Sequence, residues 1–160
     1  MKIRNIVQIG LFAALICICS WLYLPVGGLF FTLQTFGVFL ALFLLGGKMG
    51  SWAILTYLVL GAVGLPVFSG FRGGFGALLD VTGGYLWGFL LAALLYRLLG
   101  KKLPVLAAIA GLLACYIAGT LWYAFSYLGG NVAAAAVQCV LPYVLPDAAK
   151  LWLAFFVAKN

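Results

Sequence analysis

Only two acidic residues occur among 160, Asp80 and Asp147, and the chain has no histidine and no glutamate. Those shortages remove most hydrolytic and metal chemistry, which draws on exactly those side-chain types for proton transfer and ligation. Charge as a whole is scarce. Charged residues make up 7% of the chain and hydrophobic ones 68%, and the mean hydropathy is +1.27. Soluble domains are about 45–50% apolar and about 25% charged. A chain of this composition cannot present a mostly wet surface, so it reads as an integral membrane protein with a single transmembrane domain over residues 1–160. There is no Walker glycine loop, so nucleotide hydrolysis is not expected. The four cysteines, Cys17, Cys19, Cys115 and Cys139, all fall in apolar segments. They lack zinc-ligand spacing and read as small buried residues, with no metal expected.

What the chain does have is a series of oily segments. Spanning helices need about 20 residues, and six such segments fit if the connections are short. The expected helices cover residues 5–24, 33–45, 51–65, 85–99 and 105–126, with the sixth after a proline-rich break at Pro142 and Pro146. The fold class is therefore an all-α membrane bundle of six helices. The first segment follows Lys2 and Arg4 like a signal peptide, yet no small-residue cleavage site follows it, and it is read as retained. The connection at 25–32, "PVGGLFFT", is short and uncharged, while that at 66–84 is longer and rich in glycine.

Basic residues orient this bundle. With the N-terminus in the cytoplasm, Lys2, Arg4, Lys48, Arg97, Lys101, Lys102 and Lys159 all fall on the inner side, as the positive-inside rule requires. A net charge of +7 scattered singly between apolar helices suits topology and anionic lipid, not nucleic acid. Arg72 and Lys150 are the two bases left on the outer side, where both acids also fall.

Ions at membrane depth are costly, about 2.5–3.5 kcal/mol each at a helix centre on insertion scales. Their clustering asks for a reason. Asp147 and Lys150 are three residues apart, so on a helix they share one face. They either neutralise each other or offer an acceptor beside a donor to a polar ligand. In "FSGFRGGFG", Arg72 is followed by Gly73 and Gly74, and "TGGYLWGF" opens a helix with Gly84 and Tyr85. Glycines before a helix N-terminus expose backbone N–H groups to anions, and Arg72 adds a fork suited to a carboxylate. The plainer alternative is a tightly packed loop with a glycine-mediated helix contact. An intramembrane aspartyl enzyme would need its two carboxylates to share a proton, and a lysine one turn from Asp147 would keep that acid ionised.

The stretches "FTLQTFGVFLALFLLG", "GLPVFSGFRGGFGALLDVTGGYLWGF" and "LPDAAK" resemble, in that order, the BioY family. These are the biotin-specific substrate-binding subunits, or S components, of energy-coupling factor (ECF) transporters. Where that family usually has Gly-Pro before "TGGY", this chain has Asp80-Val81. The resemblance implies a six-helix fold with both termini cytoplasmic, in a prokaryotic plasma membrane. It implies a ligand site near the outer face, closed by the 25–32 connection, with Asp147 and Lys150 on the ligand. Biotin is then the expected ligand, another vitamin the alternative. The carboxylate takes the ureido N–H donors, the ammonium serves the ureido carbonyl, and Arg72 with its neighbouring glycines takes the tail carboxylate. It also implies three partners, a membrane scaffold (T) subunit and two cytoplasmic ATPases, with Gly10 and Ala14 of the first helix spaced for docking the scaffold.

Overall fold

The computed structural model describes residues 2–26 and 29–160. Six helices account for most of them: α1 (Ile3–Trp21), α2 (Gln34–Ala62), α3 (Gly83–Leu99), α4 (Pro104–Tyr127), α5 (Val132–Cys139) and α6 (Val144–Lys159). By length and composition, α1 and α4 can each cross a membrane, as could the 29 residues of α2 taken as one unbroken helix, and α5 with α6, bent by 53°, can count as one further span.

The expectation of an all-helical chain needs correction. The first helix stops at Trp21 instead of Leu24, and the chain then forms an antiparallel hairpin of β1 (Tyr23–Val26) and β2 (Leu29–Thr32), with Tyr23 opposite Thr32. The physical reason is local. Aromatic and aliphatic residues on either side of Gly27-Gly28 make a two-residue hairpin signal, and Pro25 is tolerated because the strand is an edge. Gly27 and Gly28, which belong to the connection expected to close the site, lie outside the described residues.

The helices expected at 33–45 and 51–65 are the two limbs of α2, joined at Gly46. That residue has φ 73°, a backbone region that glycine enters without steric cost. The break is a reversal. Residues 41 and 50 of a continuous helix would lie about 13.5 Å apart along its axis, yet a Cβ on Gly50 would stand 3.0 Å from the carbonyl oxygen of Ala41. The turn packs on the end of α3, where a Cβ on Gly47 would meet the Arg97 Cα at 2.5 Å.

Helices α3 and α4 approach closely along matching small-residue rows. Gly84, Gly88 and Ala92 recur every four residues on α3, as do Gly111, Cys115 and Gly119 on α4. A Cβ on Gly88 would fall 2.8 Å from the Cys115 Cα, and one on Gly84 would fall 2.3 Å from the Trp122 Cβ. Close backbone contact of this kind replaces the hydrophobic drive that lipid cannot supply. It also fixes which way the neighbouring side chains of α3 and α4 point, and several of them line a cavity.

Candidate ligand-binding site

Helix α6 begins at Val144, so Pro146 lies in its first turn, where a missing N–H costs no helical bond. Asp147 and Lys150 follow one turn apart and are buried, 5% and 7% exposed. The Lys150 ammonium donates to Asp147 Oδ1 at 2.8 Å. Two further donors reach the same carboxylate from other helices: Thr35 of α2 to Oδ1 at 2.9 Å and Tyr116 of α4 to Oδ2 at 2.8 Å. Three elements thus hold one carboxylate in a fixed direction. Removing one partner of a buried ion pair costs about 3–5 kcal/mol, because the other charge is left uncompensated. The ammonium also stands 4.1 Å from the ring centre of Phe31, on β2, a favourable placement of a cation over an aromatic face. Phe31 stacks in turn on Tyr143, 6.0 Å between centroids. The hairpin therefore covers the ion pair.

Asp147 and Lys150 form one wall of a cavity with about 80 Å³ accessible to the centre of a water molecule, also lined by Gln34, Ser69, Tyr85, Phe89 and Tyr116. Such a hollow is larger than a packing defect. It combines an apolar, aromatic surface with a few converging polar groups, the usual makeup of a small-molecule site. Of the expected Arg72, Gly73, Gly74, Gly84 and Tyr85, Tyr85 alone lines it, and its hydroxyl donates to the Cys139 carbonyl at 2.8 Å.

The other expected site residues lie elsewhere. Arg72 and Gly73 line a separate surface depression with Asp80 and Tyr127. The Arg72 guanidinium pairs with Asp80 and donates to the Ser69 carbonyl and the Thr82 hydroxyl, each at 3.1 Å. Ser69 and Thr82 are themselves cavity-lining residues, so Arg72 stands one layer behind the wall. Gly73 is a close-approach position, where a Cβ would meet the Leu65 carbonyl oxygen at 2.2 Å, and Gly74 has φ 93°. Gly84 packs on Trp122. The two acids occupy different sites and each faces a cation, an arrangement unlike two carboxylates sharing a proton.

Thr35 and Tyr116 were not legible as site residues. A tyrosine in an apolar helix and a threonine near a helix start are ordinary in sequence, and only the packing of α2, α4 and α6 brings them to Asp147. No group of three or more potential metal ligands occurs among the described residues.

The family model described as "BioY family" matches residues 1–160. The chain is 39% identical over 160 residues to "Biotin transporter BioY" of Thermotoga maritima, covering 97% of this chain and 94% of that protein. It is 38% identical over 160 residues to "Probable biotin transporter BioY" of Pyrococcus horikoshii, covering 100% and 97%. Its fold matches a crystal structure of the S-component for biotin from an ECF-type ABC transporter with a TM-score of 0.90, over 99% of this chain and 90% of that one, at 24% identity. The relatives are named as transporters and not as enzymes, and this chain, matched along its whole length, belongs to the BioY family.

Proposed function

We propose that this protein captures biotin at the outer face of a prokaryotic plasma membrane, as the S component of an ECF-type transporter. The observation that carries this reading is the buried Asp147–Lys150 pair, held by Thr35 and Tyr116 in the wall of an aromatic cavity. An ion pair that merely cancelled would not need a cavity. In this one, the carboxylate accepts a ureido N–H, the ammonium donates to the ureido carbonyl, and Phe89, Tyr85 and their neighbours take the thioether ring and aliphatic tail.

The connection at 25–32 serves as the lid, with Phe31 over Lys150 supporting that role. Both termini face the cytoplasm. The approach of the Gly46 turn to Arg97 places Lys48 and Arg97 at one end of the bundle, in keeping with the charge count. Capture has to be coupled to energy by a membrane scaffold subunit and two cytoplasmic ATPases. Gly10 and Ala14 are exposed on α1, beside Val7 and Leu11, and offer a flat apolar contact for the scaffold.

A thermal-unfolding screen of the purified protein in detergent tests the reading. A ligand that binds only the folded state adds about 2.7 kcal/mol of stability at a hundred times its Kd, and so raises the melting temperature. Biotin is expected to do so, and thiamine and riboflavin are not. A shift with another vitamin and none with biotin would overturn the ligand assignment.

A further inference from the structure

The cavity has a second polar feature that the ion pair does not use. Gln34, the first residue of α2, is buried and lines it. Its side-chain amide is held from behind, with Nε2 donating to the hydroxyl of the fully buried Tyr57 at 2.8 Å. Among the described residues its Oε1 receives only the Ser69 hydroxyl, at 3.5 Å. Hydroxyl hydrogen bonds ordinarily span about 2.5–3.0 Å, so this amide oxygen is an acceptor with little satisfaction in a buried place. Such groups are rare in folded proteins and call for an explanation.

Ligand chemistry supplies one. In a cyclic urea the two N–H groups flank the carbonyl and point away from each other, so one carboxylate cannot accept both in line. Asp147 is also largely engaged. A carboxylate has about four acceptor positions, and three donors already occupy it. It has room for one ligand N–H, and the other must find an acceptor elsewhere on the wall. Gln34 is the immediate neighbour of Thr35, which is tied to Asp147, so the first turn of α2 sets both acceptors at a fixed separation.

We propose that the Gln34 amide oxygen accepts the second ureido N–H, which makes Gln34 a specificity-determining residue for cyclic ureas. The assignment rests on the biotin reading and deepens it. Tyr57 then acts as a positioning residue, keeping the amide oxygen turned to the cavity.

The test is calorimetric titration of wild type and Gln34→Met with biotin and with its two cyclic carbamate analogues, in which a ring oxygen replaces one or the other ureido N–H. Wild type is expected to bind one carbamate at least about tenfold more weakly through loss of the Gln34 contact. Gln34→Met is expected to bind biotin at least about tenfold more weakly and to bind that same carbamate as well as wild type does. Gln34→Asn, which withdraws the oxygen by one methylene, is expected to follow the same pattern and serves if the methionine variant does not fold. Biotin affinity within threefold of wild type in the variants, or an equal further loss on both carbamates, overturns the assignment alone. A wild type that binds no biotin overturns both this assignment and the reading beneath it.

Discussion

Tyr116 on α4 donates its hydroxyl to Asp147 Oδ2 on α6 at 2.8 Å, across a helix–helix boundary and 31 residues of chain. The bond is one of three that fix the carboxylate, and the only one of them reaching Oδ2 among the described residues. Its removal leaves that oxygen buried without its donor while the ring still fills its space.

Tyr116→Phe is therefore expected to destabilise the ligand-free protein. An unsatisfied buried polar group costs about 1–3 kcal/mol, which lowers the melting temperature by a few degrees in a chain of this size, on the order of 2–4 °C per kcal/mol. Thermal unfolding in detergent, without biotin, measures it. An unchanged midpoint would mean that this hydrogen bond contributes nothing to the fold.

The Asp147–Lys150 pair separates ligand contact from mutual neutralisation. If the two ions only cancel, replacing both, Asp147→Asn with Lys150→Met, removes two opposed charges together and biotin binding survives. If they grip the ligand, each single change weakens binding and the double change does not restore it. The expected loss is at least about tenfold per residue, read by calorimetric titration of both singles and the double, each checked for folding. Near-wild-type affinity in the double variant would leave the pair as a structural bridge.

This pair was the most legible part of the site, and the reason is contrast. In a chain with two acids, a carboxylate three residues before a lysine stands out at once. Its supports do not, because Thr35 and Tyr116 belong to segments that are ordinary in composition and meet Asp147 only when three helices pack. Gly84 shows the reverse case. Glycines ahead of a helix suggest an anion site, and the same glycine spacing equally describes a tight helix contact. The closeness of Trp122 shows such a contact, and nothing in the local sequence names Trp122 as the partner. The hairpin carried a readable signal in its two glycines between aromatic and aliphatic flanks, masked by the oily run that precedes it.

Arg72 gives a third prediction. Its contacts hold Ser69 and Thr82 from outside the cavity, so Arg72→Gln is expected to weaken biotin and the neutral biotin amide by the same factor, through the shape of the wall. A residue that binds the tail carboxylate would show a different result, a loss confined to the acid. Parallel titrations with the two ligands measure the ratio, and a selective loss for biotin would return Arg72 to the ligand.

Orientation is the last expectation, and the site depends on it. Seven bases are expected on one side of the bundle and Arg72 and Lys150 on the other, and the Gly46 turn meets α3 at Arg97, which gathers Lys48, Arg97, Lys101 and Lys102 toward one end. A cytoplasmic excess of lysine and arginine orients membrane proteins, so that end is expected to face inward and the Asp147–Lys150 site outward. The native cysteines are buried, which keeps their background labelling low. A cysteine replacing Lys101 is expected to react with a membrane-impermeant thiol reagent only in inverted vesicles, and one replacing the exposed Phe71 only in intact cells. Labelling of both from the same side would overturn the topology, and with it the capture of ligand from outside.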